Sequence, residues 1–223
     1  MKVTIEQMVD WSWAKRLLLR TIGKKPKTPY PTREQKLEWL ISEHSPIKVV
    51  QWCIDIDQLR QWVGVHLLRH DYVLPYITSQ RCDKVEDAER VADEVLSIIR
   101  EDIVNDPDFD RSTWRDWRIQ GSENDHSFVV NAQTLINISR KRLCHAASKE
   151  TRAVWKLVHD VIREQDPEMA AAMVPNCIYR GFCAERECCG YALTPRYIDD
   201  LFAYRSLIPA AEQRLRKPKT SQS

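Results

Sequence analysis

A chain of 223 residues, 43% apolar and 30% charged, can bury a substantial core and has the balance of a soluble globular protein. Its 34 Lys and Arg against 32 Asp and Glu leave +2, so charge gives no case for binding duplex DNA or a membrane surface. Five glycines, with no GxGxxG and no P-loop string, leave no glycine-rich phosphate cradle.

No stretch approaches about 18 consecutive apolar residues, so no spanning helix is expected. The opening residues, Met1-Lys2-Val3-Thr4-Ile5-Glu6, lack a signal-peptide apolar region, and the expected compartment is the cytoplasm. In a reducing compartment the seven cysteines, at 53, 82, 144, 177, 183, 188 and 189, are expected as thiols or metal ligands rather than disulfides.

In chain order, residues 3–9 read as a strand. Trp11 and Trp13 alternate like strand residues and are placed in the core or an interface. Residues 23–32 form a basic, proline-rich connection. Thr32 and Gln35 have capping-box spacing, and Leu37, Leu40 and Ile41 follow at helical intervals. That helix stops near His44, because Pro46 disfavours helical geometry at Ser45. Residues 47–56 read as a strand with Val50, Trp52, Ile54 and Ile56 on one face. Leu59, Trp62, Val63, His66 and Leu67 fit a helix, and Pro75 breaks any continuation. Val85, Ala88, Val91, Ala92, Val95, Ile98 and Ile99 mark a further amphipathic helix. Residues 104–126 are polar and turn-rich. A long helical pattern covers 129–163 and ends before Pro167. Residues 174–191 read as a cysteine-rich loop, 195–207 as a short helix, and 214–223 as a basic tail that frays. With no internal repeat, 1–213 is expected to be a single α+β domain.

Three constellations could carry chemistry. Arg69 and His70 open a stretch that closes on Ser79-Gln80-Arg81, and two arginines with a hydroxyl could hold a phosphate. Helical spacing from Leu135 and Ile138 puts Arg142 at the core's border, where a guanidinium needs an anionic or acceptor partner. A ligand phosphate or pyrimidine carbonyl would serve. Spacing alone favours a carboxylate of the chain, such as Glu150. Cys177-x5-Cys183-x4-Cys188-Cys189 could close a zinc site, but the irregular spacing favours cysteines packed as small hydrophobes. Trp114-Arg115-Asp116-Trp117-Arg118 could stack single-stranded bases, although carboxylates and the near-neutral charge argue against nucleic acid. No Ser-His-Asp or Cys-His nucleophile arrangement is recognisable.

These segments resemble, in order and spacing, the flavin-dependent thymidylate synthases. That family's signature is Arg-His-Arg-x-x-Ser-x-Asn-Glu-x-Ser-x-Arg-Tyr. Arg69, His70, Ser79 and Arg81 match it in register. Asn131-Ala132-Gln133, with Arg142 eleven residues after the asparagine, resembles the family's Asn-Ala-Arg helix. Ala147-Ser148-Lys149-Glu150-Thr151-Arg152 resembles Ala-Gln-x-Glu-Ile-Arg, and Glu43-His44-Ser45-Pro46 resembles the segment carrying the histidine before the central strand. The resemblance spans roughly residues 37–163. The departures are Asp71 for arginine, Leu74 for serine, Tyr76 for asparagine, Ile77 for glutamate, Cys82 for tyrosine and Gln133 for arginine.

The resemblance implies an α+β fold with an antiparallel sheet and packed helices, assembled as a homotetramer with sites shared between subunits. It implies reductive methylation of dUMP, or a related pyrimidine nucleotide, with FAD, methylenetetrahydrofolate and NADPH. His44, Arg69, His70, Asn131 and Asn137 would contact the flavin. Ser79, Arg81, Arg115 and Arg142 would hold the nucleotide, and Arg142 would also stabilise charge developing on the pyrimidine. No metal is required by that chemistry. A non-catalytic descendant that keeps the fold and binds nucleotide is the first alternative. A single-stranded nucleic-acid binder, stabilised by zinc on Cys177, Cys183, Cys188 and Cys189, is the second.

Overall fold

A computed structural model describes residues 1–79 and 121–207. Its elements are β1 (Lys2–Val9), α1 (Trp11–Thr21), α2 (Arg33–Ile41), a 3-10 turn (Ser45–Val49), β2 (Gln51–Arg60), α3 (Gln61–Leu68) and β3 (Leu74–Ile77). After residue 120 come β4 (Glu123–Asn131), α4 (Ala132–Arg142), α5 (Lys149–Gln165), α6 (Pro167–Ala172), α7 (Asn176–Arg180), a second 3-10 turn (Tyr191–Leu193) and α8 (Pro195–Ser206). The four strands form one antiparallel sheet in the order β1-β2-β4-β3. The expected α+β class holds.

Strand alternation builds the core. Val50, Trp52, Ile54 and Ile56 are fully buried, as their spacing predicts, and Ile54 lies opposite Ile5 on β1 and Phe128 on β4. Trp39 and Leu40 of α2, Leu135 and Ile138 of α4, and Val154, Trp155, Val158 and Ile162 of α5 belong to the same cluster. The Trp155 indole donates to Ser139 Oγ at 2.9 Å, so its polar edge is satisfied inside that layer.

Several sequence expectations change. Residues 123–126 are strand, not polar loop, and 129–131 complete β4 rather than opening a helix. The inward positions of β4 are Asn124, His126, Phe128 and Val130. Two of these four are polar, which hides the period-2 apolar signal. The remaining helical pattern divides into α4 and α5, because Ser148 Oγ accepts from Thr151 N and starts a new helix. Trp11 and Trp13 lie on α1, capped by Asp10 through the Ser12 amide at 2.9 Å; Trp11 is buried and Trp13 is 46% exposed. Residues 47–49 are a 3-10 turn opened by Pro46, and Leu59 belongs to β2. The expected helix is α3, which ends at Leu68, and Pro75, past its end, sits in β3, an edge strand, where a missing N–H is tolerated. The 174–191 segment contains α7. The Thr32–Gln35 capping box is formed, and the 195–207 helix is α8. The 85–99 helix, most of the 104–126 loop and the 214–223 tail fall outside the described residues.

A Cβ on Gly64 would lie 2.4 Å from His126 Cε1, so α3 rests directly on β4. A side chain there would cost about 1–3 kcal/mol in forced shifts. Asp166 joins the sheet's flank to three helices. It accepts from the Trp11 indole, from Lys36 Nζ at 2.7 Å and from Met169 N at 3.0 Å, capping α6.

No helix among the described residues is long and apolar enough to cross a membrane.

Candidate functional site

The C-terminal ends of α3 and α4 meet. Arg142 Nε donates to His70 Nε2 at 3.1 Å, and Arg142 Nη2 donates to the His66 carbonyl at 2.6 Å. A guanidinium can only donate, so His70 Nε2 must be the unprotonated nitrogen and the ring proton sits on Nδ1. The expected border position of Arg142 holds. Its expected carboxylate partner does not: among the described residues its partners are an imidazole and a carbonyl. Burial, and then the neighbouring charge of Arg69, lower the Arg142 pKa from its ordinary value.

The same cluster keeps His70 neutral. Burial, and then Arg142, push its pKa down to about 4, against a smaller opposing effect of Asp71. His66 is also lowered, by burial first and then by Arg142. Its Nδ1 lies 3.3 Å from Thr151 Oγ1, and Ser148 Oγ donates to that same hydroxyl at 2.8 Å. Thr134 Oγ1 donates to the Asp71 carbonyl at 3.2 Å, pinning the loop to α4. Three separate segments, 66–71, 134–142 and 148–151, therefore converge. His66, Thr134 and Thr151 were not expected as site residues. The four-residue spacing of His66 and His70 was the available signal.

A stability change with pH follows. His70, His66 and the buried His126 all have folded pKa values below 6.5, burial being the first cause in each. Both Nδ1 and Nε2 of His126 lack a hydrogen-bond partner among the described residues. The unfolded chain binds these protons first, so stability is full above pH 6.5 and falls as pH drops toward the folded values. His70 should contribute about 1–2 kcal/mol to that fall, after discounting for its partial exposure. Urea melts from neutral pH to about pH 4.5 should reveal this limb, and His70→Gln should flatten it. Level stability over that range would contradict the assignment.

The other candidates divide around α4. Gln133, Asn137 and Arg140 project from the face opposite Arg142. Gln133 Nε2 donates to Glu43 Oε2 at 2.5 Å, and Arg140 forms an ion pair with Glu43 while lying 3.6 Å over the Tyr179 ring. Asn137 Oδ1 accepts from Gln133 and Arg140 at 3.3 and 3.4 Å. Burial raises the Glu43 pKa, but the bonds from Arg140 and Gln133 outweigh it and the net shift is downward. His44, exposed, is the next residue in the chain. Asn131 caps α4 by accepting from Thr134 N at 2.9 Å. Arg69 and Ser79 are exposed. Arg81, Arg115 and the 114–118 tryptophan pair fall outside the described residues. Of the cysteine candidates, Cys177, Cys183 and Cys189 line a separate small cavity beyond the C-terminal end of α4, and Cys188 is exposed.

A four-stranded antiparallel sheet with helices packed on it, and a donor-rich junction at the ends of α3 and α4, define an α+β fold of a recognisable kind. It is similar to solved structures of the flavin-dependent thymidylate synthase ThyX from Helicobacter pylori. One, complexed with FAD and dUMP, has 16% sequence identity and a TM-score of 0.57, covering 78% of this chain and 100% of that one. A second, also with FAD and dUMP, has 14% identity and a TM-score of 0.60, covering 78% and 99%. At such identity the likeness is one of fold. No family model matches the sequence, and no curated protein does.

Proposed function

We propose that this chain is a flavin-dependent thymidylate synthase-like protein that binds a pyrimidine nucleotide and FAD. The observation that carries the reading is the half-buried Arg142 guanidinium, held by neutral acceptors alone among the described residues. Two of its five N–H donors are accounted for there, and a buried cation with donors to spare suits a phosphate, a uracil carbonyl or a flavin carbonyl. His70, neutral with its proton on Nδ1, adds a donor beside it, and Arg69 adds positive charge. This donor set fits a carbonyl-rich, anionic ligand pair.

In this reading Arg142 orients the pyrimidine and stabilises negative charge that develops on it. Arg69, His70, His44, Asn131 and Asn137 hold the flavin, and Ser79, Arg81 and Arg115 hold the nucleotide. FAD, when bound, supplies hydride transfer, with methylenetetrahydrofolate as the one-carbon donor and NADPH as the reductant. The reaction would methylate dUMP or a close relative. His44 and Asn137 stand on the side of α4 away from Arg142, which favours a homotetramer whose sites combine residues of neighbouring copies.

A second reading, a non-catalytic nucleotide binder of the same fold, is favoured by Gln133. It stands where the resembling motif has arginine, and its amide is spent on Glu43. One experiment separates the two. Purified protein should show the visible flavin band after adding FAD, and should oxidise NADPH only when dUMP is present. Nucleotide binding by calorimetry without flavin uptake would select the second reading, and binding of neither ligand would refute both.

A further inference from the structure

Among the described residues two cysteines are buried, on separate segments. Cys144 lies two residues past Arg142, beyond the end of α4, and Cys177 lies near the start of α7. Gly181, with φ 82°, turns the chain out of α7, and Gly190, with φ 83°, makes a second left-handed turn. Between them, Cys183, Cys188 and Cys189 are carried on a mostly exposed segment. Cys144, His145, Cys177, Cys183, Glu185 and Cys189 line one cavity of about 10 Å³. That volume admits about one water-sized sphere, so it suits a single ion and excludes a nucleotide, a flavin or an iron–sulfur cluster.

The exposure of Cys188 and Cys189 argues against the simpler reading of cysteines as packed hydrophobes.

We propose that Cys144, Cys177, Cys183 and one thiol of the Cys188–Cys189 pair form a structural tetrathiolate zinc site. Four sulfur ligands select zinc or an iron–sulfur cluster, and the cavity selects the single ion. Among the described residues no three His, Cys, Asp or Glu side chains stand together as a group that could hold a metal ion, so the ligands must come closer than they lie here. The 183–189 segment is therefore the part that draws in, against the two buried thiols. Each ligating thiol releases its proton to solvent and the zinc takes the thiolate, with no change of oxidation state. The bound ion would clasp α7 and the 183–189 segment onto the end of α4, beside Arg142. This site does not depend on the nucleotide reading, since none of its ligands belongs to the Arg142 cluster.

Elemental analysis of full-length protein purified under reducing conditions should find about one zinc per chain, and a mercurial reagent should release it. Removing zinc and adding cobalt should produce intense thiolate-to-cobalt absorption. C144S and C177S should lose most of the zinc, whereas C53S, on β2, should retain it. Because a buried cysteine variant could simply misfold, C183S on the exposed segment is the decisive one: it should fold and still bind zinc poorly. Metal-free protein without a cobalt spectrum, iron with sulfide in place of zinc, a Cys183–Cys188 disulfide in the reduced preparation, or a C183S variant with full zinc would each overturn the proposal.

Discussion

Arg142→Ala should weaken pyrimidine-nucleotide binding roughly ten- to hundred-fold, the loss expected when a charge-assisted hydrogen bond worth about 1.5–3 kcal/mol is removed. The side chain has two jobs. It donates to His70 and to the His66 carbonyl, and its remaining donors face no acceptor among the described residues. Arg142→Lys should recover little, because an ammonium on a flexible stem cannot reproduce the planar fork that spans an imidazole and a carbonyl. The substitution also frees the His66 carbonyl, so a modest fall in melting temperature should accompany the binding loss. Calorimetry with dUMP on folded variant protein is the check. Unchanged affinity would remove Arg142 from the site and leave it a strut between α3 and α4.

Asp166→Ala should cost about 3–5 kcal/mol of stability, the range for breaking a buried ion pair by removing one partner. Asp166 is 4% exposed, and the Lys36 side chain 15%. Without the carboxylate, the Trp11 indole N–H loses its acceptor inside the core, Lys36 keeps only Glu168 at 3.1 Å, and α6 loses its cap at Met169 N. The cap alone is worth about 1 kcal/mol. Glu168→Ala is the contrast. Its other partner, Arg33, has a side chain 71% exposed, so that variant should lose only about 1 kcal/mol or less. Urea denaturation of the two variants side by side tests this, and equal losses would show that burial of the pair does not matter.

Some of this molecule is legible from local pattern. The Thr32–Gln35 box requires only neighbours in the chain to satisfy backbone donors, and it forms as written. Val50 and the β2 residues Trp52, Ile54 and Ile56 are four buried apolar residues at period 2, a pattern that needs no partner to be recognised. β4 is not legible from its pattern, because its inward positions include Asn124 and His126. Asn124 is satisfied by the Gln61 side chain at 2.6 Å, a partner remote in sequence. Trp11 lies in the core as expected, but the spacing of two that fits a strand does not decide its element: the Asp10 cap and the Asp166 acceptor place it on a helix.

The candidate site divides in the same way. The order and spacing of Arg69, His70, Asn131 and Arg142 are properties of the chain, and they sufficed to anticipate the α+β fold. Only packing decides what those residues touch. The guanidinium of Arg142 finds His70 and the His66 carbonyl rather than Glu150, because α3 comes to rest with its C-terminal end against that of α4. Cys144 joins Cys177 and Cys183 around one cavity for the same reason: α7 returns to the end of α4. Local propensity acts over a few residues and is written in composition and period. Convergence of distant side chains depends on how apolar faces bury one another, and that is settled when the sheet and its helices close together.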